Sequence, residues 1–150
     1  MRLLTLEQHV VGDVARWYGP AGSKQHVATV HAVTAWLAEF RRQLEAGDVG
    51  PSWKLCGGRR ATPIEGCWRV HFSAWDVPRK GAHPKPASGA RAERIVAEVI
   101  VLGGEPAIRV LAIGPKHAGR GPGRRAWMYE QAAHRRRYPY CGGKKGGGKE

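Results

Sequence analysis

Lys116 and His117 follow directly on Gly114-Pro115, so an amine and an imidazole stand side by side where an apolar run stops. Further back, Arg69 and His71 alternate with apolar residues in "CWRVHFSAW", and Arg94 opens the run "RIVAEVI". Arginine, lysine, histidine and tyrosine can together cleave a phosphodiester in RNA without a metal. The substrate brings its own nucleophile, the 2′-hydroxyl. The protein has only to remove that proton, steady the charge on the phosphorane and protonate the departing 5′-oxygen. Arg69, His71, Arg94 and His117 are therefore the candidate catalytic residues, provided their strands are neighbours and their side chains share a face. Each has a plainer reading beside this one: Arg69 and Arg94 as solvated sheet residues, His71 as a packing or water-facing ring, Lys116 as a loop charge.

Other chemistries find less support. The chain holds no GxxxxGK[ST] phosphate loop, no HExxH zinc helix and no nucleophile elbow, and "LGGEP" and "GRGPG" lack the flanks of a cofactor loop. No cofactor is expected. Glu65, Asp76, Glu93, Glu98 and Glu105 are the only acids between residues 51 and 115, and none forms a carboxylate dyad by spacing. Cys56, Cys67 and Cys141 are an odd set with long gaps, unlike a disulfide framework. They could hold zinc with His71 only if folding gathered them, so buried or incidental thiols are expected and no metal site is assigned.

The charge is uneven along the 150 residues, which carry +13 overall. Residues 1 to 50 hold five basic and five acidic side chains, 51 to 115 ten and five, and 116 to 150 ten and two. A field of that sign attracts nucleic acid, a ribosome or an acidic protein, although it also suits a solubilising tail. Arg59, Arg60, Lys116, Arg120, Arg124 and Arg125, with Tyr129 as a possible stacking ring, make up the expected RNA-contacting set. Tyr129 and the tryptophans are equally readable as core. "MRLLTLEQHVVGD" turns polar before a signal-length apolar segment develops, and no apolar run approaches the ~20 residues of a membrane span. A cytoplasmic protein with no membrane partner is expected.

Positioning these groups requires a sheet. Leu6, Val10, Val14 and Trp17 recur at helical spacing before Gly19-Pro20. A second helix starts near Ser23, with Val30, Val33, Leu37, Phe40 and Leu44 as its buried stripe and Gly47 as its stop. Strands are expected over 67 to 75, 94 to 102 and 107 to 114. In the first, Trp68, Val70 and Phe72 are buried and Arg69 and His71 face outward. In the last, Ile108, Val110 and Ala112 fall on one face, with Arg109, Leu111 and Ile113 on the other. Gly103-Gly104 reads as a turn, which makes the last two strands antiparallel. Residues 76 to 90 read as a long surface loop, "AWMYEQAAHRRR" as a short helix ended by Pro139, and 139 to 150 as a basic flexible tail after a single domain over 1 to 138. The fold class is α+β: an N-terminal helical pair on a small twisted antiparallel β-sheet, with a short C-terminal helix.

This order of elements resembles the RelE/ParE-type family of bacterial toxins, over about residues 25 to 138. "WKLCGG" is similar to the family's leucine-glycine segment, "GCWRVHFS" to its Gly-x-Trp strand with a following basic residue, and "RIVAEVI" to the strand that an arginine opens. "IRVLAIGPKH" is similar to the last strand with its terminal basic pair, and "YEQAAHRR" to the C-terminal helix of several branches. The resemblance implies a toxin of a toxin-antitoxin system, an endoribonuclease acting on messenger RNA at the ribosome and neutralised by an acidic antitoxin. By position it implies a phosphate contact at Arg69, a steadying arginine at Arg94 and a general acid at His117, with His71 as base or phosphate contact. The chain departs from the pattern at Ala118, where a tyrosine often follows the histidine, at the 76 to 90 loop, and in a first strand reduced to at most "MRLLTL". A non-enzymatic nucleic-acid- or ribosome-binding protein and a mobile-element inhibitor of a host enzyme are the alternative readings.

Overall fold

The computed structural model describes residues 1–5, 7–56, 64–72, 93–115 and 127–140. In chain order the elements are β1 (Arg2–Leu4), α1 (Gln8–Tyr18), α2 (Lys24–Ala46), β2 (Trp53–Leu55), β3 (Trp68–Phe72), β4 (Glu93–Leu102), β5 (Glu105–Pro115) and α3 (Trp127–Arg136). The fold is α+β, with a five-stranded sheet in the order β1-β5-β4-β3-β2. The pairs β3–β4 and β4–β5 are antiparallel as expected; β2, not expected as a strand, adds an antiparallel edge to β3, and β1 adds a parallel edge to β5, which makes the sheet mixed. Of the first expected strand, residues 68 to 72 are extended, while 73 to 75 and the whole 76 to 90 loop lie outside the described residues. Among the described residues, no helix is long and apolar enough to cross a membrane.

The second helix begins and ends where its sequence asks. The Ser23 hydroxyl accepts from the His26 amide at 3.3 Å, satisfying one of the amides a helix start leaves open. At the other end Gly47 takes φ 75°, and its own amide donates to Leu44. Val33, Leu37 and Phe40 of the expected stripe are buried, but Val30 is 44% exposed. The buried face is displaced toward Thr29, Ala32, Trp36 and Gln43. Two of those are polar residues that apolar periodicity does not count. They tolerate burial because Thr29 donates to the Gln25 carbonyl at 2.8 Å and Gln43 bridges Glu39 and the Gly50 amide.

The sheet has a core on each side. Val10, Val14 and Tyr18 of α1 and Ala32, Trp36, Leu37 and Phe40 of α2 pack on Val70, Phe72, Ile95, Ala97, Ile108, Val110 and Ile113. On the opposite face Met128 and Ala132 of α3 pack with Cys56, Ile64, Cys67, Val96, Leu111 and Ala112. The division corrects the expected alternation in β5, because Ile113 joins Ile108 and Val110 while Ala112 joins Leu111. Val96 pairs with Ala112 and Ala97 with Val110, so Leu111 is an extra residue that inverts the period. Gly103 and Gly104, at φ 58° and 83°, form the two-residue turn before it.

The edge of β5 is closed in an unexpected way. β1 pairs only with residues 107 to 109, and beyond it side chains replace a strand. His9 Nε2 lies 2.9 Å from the Val110 carbonyl, Arg135 donates to the Leu111 carbonyl at 3.0 Å, and the Ile113 amide donates to Asp13 at 3.0 Å. Backbone groups that would otherwise invite a foreign strand are thereby occupied.

Candidate functional site

Cross-strand register decides which candidate residues meet. His71 stands opposite Arg94, and Arg94 opposite Gly114, while Arg69 stands one row back opposite Val96. Directly paired residues share a face, so Arg69, His71 and Arg94 all project on the α3 side, away from the α1/α2 core. The neighbouring row, Phe72–Glu93–Pro115, is the last described row at this end of the sheet. The condition laid on the three residues, neighbouring strands and a common face, is met.

Their exposures differ. Arg69 and His71 are half-buried, whereas Arg94 is 3% exposed. Arg94 is thus not a solvated sheet residue; its Nη1 donates to the Glu93 carbonyl at 3.4 Å. Arg69 Nη1 lies 3.0 Å from His71 Nε2. A guanidinium can only donate, so Nε2 must accept, which places the imidazole proton on Nδ1 and leaves the ring neutral.

Among the described residues, the two carboxylates of β4 stand apart from this cluster. Glu93 sits one residue before Arg94 and therefore on the other face, where Tyr18 donates to it at 2.5 Å. Burial pushes the Glu93 carboxyl above its usual range, opposed by the Tyr18 hydrogen bond and the Arg94 charge. Burial pushes the Tyr18 phenol up as well, with Glu93 adding to the effect. Glu98 does lie on the α3 side, but four residues along β4, roughly 13 Å from Arg94, where it pairs with Arg109 and Arg136 at 3.5 Å each. Among the described residues, Arg69, His71 and Arg94 share this face of the sheet end, and guanidinium groups so placed suit a phosphate.

The basic C-terminal helix divides its labour. Arg135 forms a two-pronged pair with Asp13, at 2.7 and 2.9 Å. Arg109 forms another with Glu7, at 2.9 and 3.0 Å, and donates to the Tyr138 carbonyl at 2.7 Å. These bonds fasten α1, β5 and the C-terminal segment together and withdraw Arg109 and Arg135 from any role toward a ligand. Arg136 reaches Glu98 and sits beside Gly66, near the cysteines. Tyr129 is half-buried against the α3-side core, not displayed as an open stacking ring.

Seven expected residues, Arg59, Arg60, Lys116, His117, Arg120, Arg124 and Arg125, lie outside the described residues. So does Cys141; Cys56 and Cys67 are buried, and among the described residues no three metal-binding side chains gather. A cavity of about 180 Å³ between α1 and α2, with Val10, Val14, Val30 and Val33 in its walls, is on the far face of the sheet and carries no arginine or lysine. The Glu7–Arg109 and Asp13–Arg135 pairs were not expected from the sequence, because partners about a hundred residues apart share no periodicity. The one signal available was an arginine inside an otherwise apolar strand, at Arg109.

No protein-family model, curated protein or solved structure matches the chain.

Proposed function

We propose that the chain is a metal-independent endoribonuclease of the RelE/ParE toxin type, acting on messenger RNA held by the ribosome and neutralised by an acidic antitoxin. The observation that carries this reading is the convergence of Arg69, His71 and Arg94 on one face at the sheet end from which Lys116 and His117 continue. In the reaction, His71, neutral in the arrangement with Arg69, takes the 2′-hydroxyl proton once the substrate phosphate draws the guanidinium away. Arg69 binds the phosphorane oxygens directly, Arg94 adds positive charge from the neighbouring strand, and His117 protonates the 5′-leaving oxygen. Lys116 and the arginines at 59, 60, 120, 124 and 125 hold the flanking backbone. Ribosomal help follows from economy: RNA already held in line needs fewer groups from the protein.

The burial of Arg94 favours one second reading, a nucleic-acid- or ribosome-binding module without turnover, since binding needs only the accessible Arg69 and His71. A chelator-treated translation reaction separates the two. New messenger RNA ends bearing a 2′,3′-cyclic phosphate are expected with wild type, reduced at least ~10²-fold in His117→Ala and Arg69→Ala. Ribosome or RNA binding without new ends would establish the binding module instead.

A further inference from the structure

Cys56 and Cys67 play no part in that mechanism, yet their placement is specific. Leu55 pairs with Trp68, which sets Cys56 against Cys67 one step along the β2–β3 ribbon. The Cys56 amide donates to the Cys67 carbonyl at 2.7 Å. A turn from Ile64 to Gly66 closes the ribbon: the Gly66 amide donates to the Cys56 carbonyl at 3.1 Å and the Cys67 amide to Ile64 at 3.0 Å. Both side chains belong to the α3-side core, at 3% and 0% exposure, so they lie on one face. Opposed residues on one face have Cβ atoms roughly 4.5–5.5 Å apart, against about 3.5–4.5 Å across a disulfide. The gap is small, and β2 is a three-residue edge strand that can move to close it.

Charge differs between the two sulfurs: Arg69 and Arg136 act on Cys56, whereas Arg136 and the opposing Glu98 act on Cys67. Burial raises the Cys56 thiol, opposed by the charge of Arg69, the charge of Arg136 and a hydrogen bond from Arg69. Cys67 is pushed up to about 11, by burial first, with Arg136 opposing. Cys56 is thus the sulfur with two arginines favouring its thiolate, one of them the arginine assigned to the scissile phosphate.

We propose that Cys56 and Cys67 are a redox-responsive dithiol that a low-molecular-weight disulfide closes to an intramolecular cross-link, and that closure changes the sulfur environment of Arg69, two residues along the same face of β3 from Cys67, and alters RNA binding. The second half rests on the RNA-binding reading above; the first does not. The Cys56 thiolate attacks the small disulfide and expels one small thiol, leaving a mixed disulfide. The Cys67 thiolate then attacks the Cys56 sulfur and expels the second. The two protein thiols give up two electrons and two protons, and the small disulfide is reduced to two thiols.

The test uses the full chain carrying Cys141→Ser, equilibrated with graded ratios of oxidised to reduced glutathione, alkylated and digested with trypsin without reductant. Peptide 55–59 joined to peptide 61–69, lost on reduction and absent from Cys56→Ser/Cys141→Ser, is the expected product. Full alkylation of both cysteines at every ratio would overturn the proposal. Fluorescence anisotropy with a single-stranded RNA oligonucleotide then compares the oxidised and reduced Cys141→Ser protein. A Kd differing at least threefold is expected, with no difference in the double variant. An equal Kd in both states overturns the link to Arg69. Absence of RNA binding in both states defeats the RNA reading and that link with it, while the cross-linked peptides still decide the dithiol.

Discussion

Asp13 shows how much one buried side chain can organise. Its Oδ2 accepts from the Ile113 amide and from Arg135 Nη1, and its Oδ1 accepts from Arg135 Nη2, so one carboxylate ties helix α1 to a strand edge and to α3. Removing it leaves the buried Ile113 amide without its acceptor and the mostly buried Arg135 guanidinium without its carboxylate. Asp13→Ala is expected to cost about 3–5 kcal/mol in urea unfolding, with Asp13→Asn costing less because it still offers the Ile113 amide an oxygen. Glu93 gives a pH signature of the opposite kind. Burial, partly offset by Tyr18 and Arg94, holds its carboxyl above the usual range. A carboxyl whose folded pKa exceeds its unfolded pKa binds its proton more tightly when folded. The ionised form therefore costs stability near neutral pH, and the cost is relieved as pH falls through the folded pKa and is gone below the unfolded one. Glu93→Gln, which keeps an acceptor for the Tyr18 hydroxyl, is expected to melt above wild type near neutral pH. The advantage should vanish below about pH 4; a melting series across that range checks both the sign and the window.

At the scale of elements, the local signals proved readable and the long-range ones did not. Ser23 and Gly47 bound α2 because capping chemistry acts within one turn, and Gly103-Gly104 announces the β4–β5 hairpin for the same reason. The bulge at Leu111 has no such mark: an apolar run reads alike with or without an extra residue, and only pairing with Val96 and Ala97 reveals the inversion. β2 was also illegible as a strand, since three residues give no period, and it owes its place to packing. The rings of Phe40 and Trp53 stack with centroids 4.1 Å apart, and Trp68 leans on Phe40 at 5.5 Å. Phe40→Ala is expected to lose about 3–5 kcal/mol. β2 should loosen first, visible as a rise in hydrogen exchange at Trp53 to Leu55 ahead of global unfolding.

For the whole molecule, charge is the property that sequence conveys most fully, since +13 and its gradient along the chain need no folding to be counted. Bound RNA should therefore respond to salt, with log Kd rising linearly in log salt concentration. Arg69→Ala is expected to lower that slope by about 0.7, the share of one phosphate contact on a single strand; an unchanged slope would place the RNA elsewhere. Composition and periodicity by themselves determined the α+β class, the helical pair, the antiparallel centre of the sheet and the shared face of Arg69 and His71, because each follows from neighbours a few residues apart; that this face carries a second core under α3 did not. Only the tertiary structure decided which arginines remain for a ligand. Among the described residues, Arg109 and Arg135 are tied to Glu7 and Asp13, and Arg94 is buried beside His71, while Arg69 stays within reach of solvent. Arginines look alike in sequence, and what separates them is a carboxylate about a hundred residues away, brought close by the paths of β5 and α3.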